Sequence, residues 1–497
     1  MADAVLPAAP LRLVRGGVLR VVACLLLLVV VGDWLCFDQV LGAGVAVLAV
    51  CIIAAAYAAQ AKRPVLVRLG AAAMLAALAQ MPWLLAPDAL AFSLLLLGTG
   101  VAAALLKGGA LWPQSLGILS GIGWRMAPDL VRAWRKRASL PAGQIGAAQL
   151  LGWLLPALGG AVFLGLFADA NPIIATGLDA ASPVALLRAL SAPHVLFWLA
   201  LAALAWPFLM PPKALVLRLS LPAAPWGGAS ALLFGIAPIR RALVLFNMLF
   251  ALQTGLDAAY LWAGAKLPAG LSYADYAHRG AYPLIATALL AGGFAILATR
   301  PGSAPAASRG IRWLVLVWVA QTLALVGASI FRLYLYVQVY SLSELRLASF
   351  IWMLLVFAGL VLIILRILLA RDDAWLLRAN AIAALATIYI AACLNFPWIV
   401  AQYDVTHCRE VTGAGAMLDV DYLQSLGPQA IPALDRYQVL TANAEAAPFA
   451  QQGPAGVARV MLAEGFGAMP ADWRGFSVWS WVLRCYLVTH EPKHAGG

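Results

Sequence analysis

Long apolar runs broken by short polar punctuation fill most of the chain, and their lengths set the first expectation. A helix needs about 20 mainly apolar residues to cross a bilayer. Runs of that size lie at about 17 to 36, 40 to 60, 68 to 86, 89 to 107, 145 to 168, 192 to 211, 241 to 262, 280 to 299, 311 to 335, 347 to 368 and 376 to 397. They predict about 11 spans. The stretch SLGILSGIG at 115 to 123 is too brief to cross and reads as an interfacial or re-entrant piece. After about residue 398 the pattern changes to regular charge, short apolar stretches such as VARVMLAE, and Gly and Pro punctuation at 412 to 415, 427 to 432 and 453 to 455. This predicts short helices over 417 to 426, 428 to 438 and 456 to 464, followed by the aromatic strip ADWRGFSVWSWVLRCYL with Trp473, Trp479 and Trp481.

The expected fold class is therefore all-α: a polytopic transmembrane helix bundle over 1–397 and a small helical C-terminal extracytoplasmic domain over 398–497. A segment of that size buries little core on its own, so it is expected to dock on the bundle through its aromatic strip.

Composition agrees with the pattern. The 497 residues are 64% hydrophobic and 11% charged, with a mean hydropathy of +0.90, where a soluble domain carries about 25% charge. The formal charge of +12 changes the picture only in its distribution. Lys and Arg punctuate the apolar runs near 12 to 20, 62 to 68, 125 to 137, 213 to 218, 240 to 241, 300 to 312 and 366 to 378 instead of gathering on one soluble domain. That is the distribution of cytoplasmic loops, so nucleic acid is not an expected partner and membrane lipids are. It places the N terminus in the cytoplasm and residues 398–497 outside. The first run begins near Val18 without a cleavage pattern and reads as a retained anchor.

Candidate chemistry is sparse. The six cysteines form no CxxC pair. Cys408 and Cys485 both fall on the expected outer side, where an oxidising compartment permits a disulfide between them; free thiols are the alternative. His407 and Cys408 lie near Asp404 and Glu410, but adjacent donors are not the paired spacing of a structural zinc site. No phosphate-binding loop, dinucleotide fingerprint, HExxH or GxSxG occurs, so neither a metal nor a cofactor is predicted.

The stretch VYSLSELRLASF at 339 to 350 sets polar residues between two apolar runs. One reading is architectural: Ser341 or Ser343 caps the next helix, Glu344 sits in its first turn, and Glu344 pairs with Arg332 or Arg346. The other is a polar pocket built from Arg332, Tyr336, Tyr340, Glu344 and Arg346, joined by Asp275, His278 and Arg279 of SYADYAHRG on the same expected side.

Five stretches in order carry a family resemblance: LSYADYAHRGAYPLI, RLYLYVQVYSLSELRLASFIWMLLV, NFPWIVAQYDV, LDVDYLQSLGPQAIPALDRY and DWRGFSVWSW. Together, over about residues 240 to 484, they resemble the bacterial multi-pass membrane proteins catalogued as domain of unknown function 4173, with the related group 4153 as the alternative. That family favours a Tyr-Gly-Leu-Thr-x-x-Arg motif. Here the motif reads Tyr340, Ser341, Leu342, Ser343, Glu344, Leu345, Arg346, with serine at the glycine and threonine positions. Asp404 stands where the family commonly has asparagine. The resemblance implies an inner-membrane protein of the bacterial envelope and no particular chemistry. The leading functional expectation is a structural or regulatory envelope protein whose C-terminal segment contacts an envelope protein partner. The alternatives are a membrane-embedded enzyme acting on a lipid-linked or envelope substrate, and a transporter, which the lack of a matching repeat disfavours.

Overall fold

The computed structural model describes residues 9–60, 65–108, 111–138, 192–211, 235–259, 287–296, 298–299, 304–442 and 453–490. Every regular element among them is helical. Six of the described helices are long and apolar enough to cross a membrane: α3 (Leu66–Leu85), α4 (Ala89–Lys107), α8 (Ile236–Asp257), α10 (Arg309–Tyr340), α11 (Glu344–Leu368) and α12 (Asp373–Cys393). The expected number of about 11 is not reached among the described residues. The runs at 40 to 60, 192 to 211 and 280 to 299 appear there as the shorter helices α2 (Ala43–Ala58), α7 (Ala192–Leu209) and α9 (Thr287–Ile296). The expected span at 145 to 168 lies outside the described residues. The first expected span is covered by α1 (Ala9–Cys36), and the interfacial piece by α5 (Leu111–Ser120), which precedes α6 (Met126–Ala138).

The helices belong to two compact units, one of Met1–Leu219 with Met469–Val482, the other of Ser220–Ala468 with Leu483–Gly497. In the first unit α3 and α4 form a hairpin. Asp88 caps α4 by accepting a 2.7 Å hydrogen bond from the Ala91 amide. Small residues let the two backbones close: a Cβ on Gly98 would fall 2.1 Å from that of Ala79. Residues 469–482 seat on the turn between α1 and α2. The Ala43 amide donates to the Phe476 carbonyl at 3.0 Å, and Arg474 donates to the Trp34 carbonyl at 2.7 Å. The Trp34 and Trp473 ring centroids are 5.9 Å apart. Trp473 and Trp481 stay about half exposed, at 51% and 54%, while Trp479 is partly buried.

The second unit is organised around Trp318 of α10, whose ring meets Phe246 at 5.2 Å, Phe250 at 5.5 Å and Phe294 at 5.6 Å. Two polar contacts show that α8 and α10 run parallel. Asn247, midway along α8, donates to the Leu314 carbonyl near the start of α10 at 3.1 Å; Asp257, at the end of α8, pairs with Arg332, further along α10. At the opposite end of α11, Arg366 pairs with Asp373 of α12 and donates to the Thr299 hydroxyl at 2.9 Å. One end of this unit therefore gathers Arg240, Arg241, Arg309, Arg312, Arg366, Arg371 and Arg378, with Asp372 and Asp373. The other end carries Asp257, Arg332, Glu344, Arg346 and Asp404.

Asn395 caps a new helix, α13 (Phe396–His407), by accepting from the Trp398 amide at 3.2 Å. The break falls at Asn395, two residues before the expected end of the last span. Helices α14 (Val420–Ser425), α15 (Ile431–Ala442) and α16 (Pro454–Gly467) lie where the Gly and Pro punctuation put them. Their core is Ala401, Val405, Leu423, Ala430, Ala433, Leu434, Ala455 and Ala458. In α17 (Val478–His490), Tyr486 donates to Asp435 at 3.1 Å.

The expected disulfide does not form: Cys408 and Cys485 are free thiols. Cys408 is buried, with its Sγ donating to the Val405 carbonyl at 3.3 Å, and Cys485 is exposed.

Both side chains of the Arg332–Asp257 pair are only 3% exposed, so removing one partner takes the contacting opposite charge from a buried ion. Asp257→Ala should cost about 3–5 kcal/mol and lower the yield of folded, detergent-extracted protein. The double change Asp257→Leu with Arg332→Met should recover most of the loss in thermal stability, because an apolar pair of similar volume replaces an ion pair at little cost.

Candidate functional site

The polar corner between α10 and α11 contains the motif quoted above, and each of its residues has a backbone or side-chain task. Helix α10 has 32 residues, a length of about 48 Å, which exceeds a hydrocarbon core of about 30 Å. Its last turns, with Tyr336, Gln338 and Tyr340, can thus stand clear of lipid. Ser341 then reverses the chain with φ 65° and ψ 176°, a region that only glycine enters without penalty. Serine holds a conformation that glycine would enter freely, so the bend here stores strain.

The neighbours hold that bend in place. Arg346 reaches back from α11 and donates to the Tyr340 carbonyl at 2.6 Å and also to the Ser341 carbonyl, satisfying acceptors that the end of α10 leaves open. Its guanidinium lies 4.7 Å from the centroid of the Tyr336 ring, which in turn sits 4.6 Å from that of Tyr340. Ser343 is the residue that caps α11, accepting from the Arg346 amide at 3.3 Å. Leu342 buries its side chain with Val337 and Val400 and donates its amide to Asp404 of α13 at 2.7 Å. The Glu344 amide donates to the Tyr422 hydroxyl at 3.0 Å, and Gln338 donates to the Tyr403 hydroxyl at 2.8 Å.

Of the candidate residues, the corner brings together Tyr336, Tyr340, Glu344 and Arg346. Arg332 is buried lower in α10 and is engaged by Asp257, so the expected pairing with Glu344 is not made. The Glu344 side chain is exposed in the first turn of α11, where a carboxylate favours the helix dipole. Asp275, His278 and Arg279 lie outside the described residues. Asp257, Asp404, Tyr403 and Tyr422 are participants that the motif did not indicate. An acid inside an apolar run was the available signal for Asp257. The donors near Cys408 are used locally: His407 Nδ1 lies 2.9 Å from the Tyr403 carbonyl, and the Glu410 carboxylate accepts from the Leu418 amide at 3.1 Å.

Asp404, which accepts from the turn at Leu342, is buried. Burial raises its pKa from 3.8 to about 6, against the Leu342 amide bond and the charges of Arg346 and His407, which lower it, while Asp419 adds to the rise. Tyr403 and Tyr422 are also raised, by burial first.

Two measurements address this corner. Ser341→Gly should stabilise the protein by about 1 kcal/mol, since glycine relieves the strained backbone at some cost in unfolded-state entropy; the melting temperature in detergent reads it. Between about pH 4 and 6 the folded chain holds a proton on Asp404 that the unfolded chain releases, so stability should fall as pH rises through that window, by roughly 3 kcal/mol in full. Asp404→Asn keeps an acceptor for the Leu342 amide and should flatten that part of the pH profile.

A family model described as "Domain of unknown function (DUF4153)" matches residues 21–437. This corrects the leading resemblance, to group 4173, in favour of the alternative. No curated protein and no solved structure matches the chain. The match takes in the polar corner together with most of the apolar helices on either side of it, and on that span the chain belongs to the DUF4153 family.

Proposed function

We propose that the protein is a multi-pass component of the bacterial inner membrane with a structural or regulatory role in the envelope, its N terminus cytoplasmic and residues 398–497 outside, docked on the bundle and available to an envelope partner. The observation that carries this reading is how the corner uses its polar groups. Arg346, Ser343, Asp404 and Tyr422 bond the backbone of the 340–346 turn, and Arg332 holds α8 to α10, so these groups serve architecture. The arginine-rich end of the second unit supports the orientation, because Lys and Arg are retained on the cytoplasmic side. A second reading, an enzyme acting on a lipid-linked or envelope substrate, draws on Asp404, a buried carboxyl that titrates near 6 and suits proton transfer.

Reporter fusions test the orientation: one at about residue 138 should report the cytoplasm and one after Asp404 the outside. A cytoplasmic signal from the latter overturns it. The role is tested by placing Asp404→Asn and Arg346→Gln at the native locus and measuring both protein level and envelope permeability to a dye. A structural role makes the permeability defect track the folded protein that remains. A variant present at the normal level with a full defect would favour the enzyme.

A further inference from the structure

We propose that Arg240 and Arg241, with the apolar ridge of α8 beneath them, bind one anionic phospholipid, its phosphate on the guanidinium pair and an acyl chain along the ridge. Both arginines line an open pocket with Val244, Leu245 and Met248. Among the described residues no hydrogen bond or ion pair engages either guanidinium, whereas Arg332, Arg346 and Arg366 of the same unit are all engaged. Two adjacent forks suit a phosphate, which guanidinium groups recognise with paired hydrogen bonds.

The ridge sets the rest of the ligand. Val244, Met248 and Leu252 succeed one another at helical spacing, with Met248 67% and Leu252 63% exposed, and only 11% of the apolar window of α8 is buried. From Arg241 to Leu252 the helix rises about 16 Å, close to half of a hydrocarbon core of about 30 Å. A headgroup at the arginines thus places its chain along one leaflet's depth. The same end of the unit collects Arg309, Arg312, Arg371 and Arg378, which raises the local concentration of anionic lipid without forming this pocket.

The inference rests on the membrane reading above, and the test separates the two. The full chain, purified in detergent, is mixed with equimolar phosphatidylglycerol and phosphatidylcholine, and the lipids it retains are counted by native mass spectrometry. Wild type should favour phosphatidylglycerol by about tenfold. Arg240→Gln with Arg241→Gln should bring the ratio near parity, while Arg309→Gln with Arg312→Gln leaves the preference in place. Val244→Glu, which sets a carboxylate one turn from Arg240, should abolish the preference as well, and serves if the double variant loses the wild-type melting transition. The proposal is overturned if the Arg240/Arg241 variant keeps the preference, if the Arg309/Arg312 variant loses as much, or if millimolar inorganic phosphate displaces the lipid. A stable dimer that retains no lipid would overturn it too, by giving the ridge to a second copy. Carbonate extraction from phosphatidylcholine vesicles tests the membrane reading alone: a chain that resists extraction but shows no preference refutes only this site, and one that is extracted refutes both.

Discussion

Charge buried between apolar helices has to be answered by an opposite charge at contact distance, and in the second unit that requirement is met by Arg332 and Asp257. Hydrophobic packing around Trp318 tolerates sliding, since an aromatic cluster of this kind is held by area more than by direction. The ion pair does not tolerate it, because a shift of one turn would separate two buried opposite charges that are now in contact. It therefore sets the register of α10 against α8. With α10 fixed, the height of its last turn is fixed, and the corner that follows is carried to a defined level.

That corner shows how one short polar motif can do several jobs through the backbone. Ser341 bends the chain, Ser343 starts the next helix, and Arg346 closes the acceptors left behind. The amides of Leu342 and Glu344 then remain facing α13 and α14, and Asp404 and Tyr422 accept from them. The later helices are thus fastened to the hairpin by hydrogen bonds to main chain, which depend on the shape of the bend more than on the side chains that line it. Strain at Ser341 persists because the surrounding bonds over-determine it.

How far the sequence could be read differs between its parts for physical reasons. Run length identified α3, α4, α8, α10, α11 and α12 because apolar helices announce themselves by composition, and Pro and Gly punctuation located α14 to α16 because those residues restrict the backbone locally. Ser343 and Glu344 were recognisable as a helix start for the same reason. Pairings between distant positions were not legible. Asp257 lies 75 residues before Arg332 and Asp404 lies 62 residues after Leu342, and nothing local in either segment names its partner. Sequence proximity accordingly offers Arg332 or Arg346 to Glu344, and not Asp257 to Arg332. The disulfide expectation failed similarly: two cysteines on one expected side do not imply proximity, and Cys408 is enclosed by its own helix end.

The seat of residues 469–482 on the α1–α2 turn has a consequence in time. Gly42 accepts the strip so closely that a Cβ there would fall 2.4 Å from the carbonyl carbon of Gly475, and Arg474 reaches the Trp34 carbonyl across 440 positions of chain. A ribosome delivers residues in order, N-terminal regions first. Helices α1 and α2 must therefore wait, with their turn unsealed, while the residues between them and Arg474 are made. Synthesis halted anywhere before residue 469 leaves that seam open, so the first unit is completed only when residues 469–482 arrive.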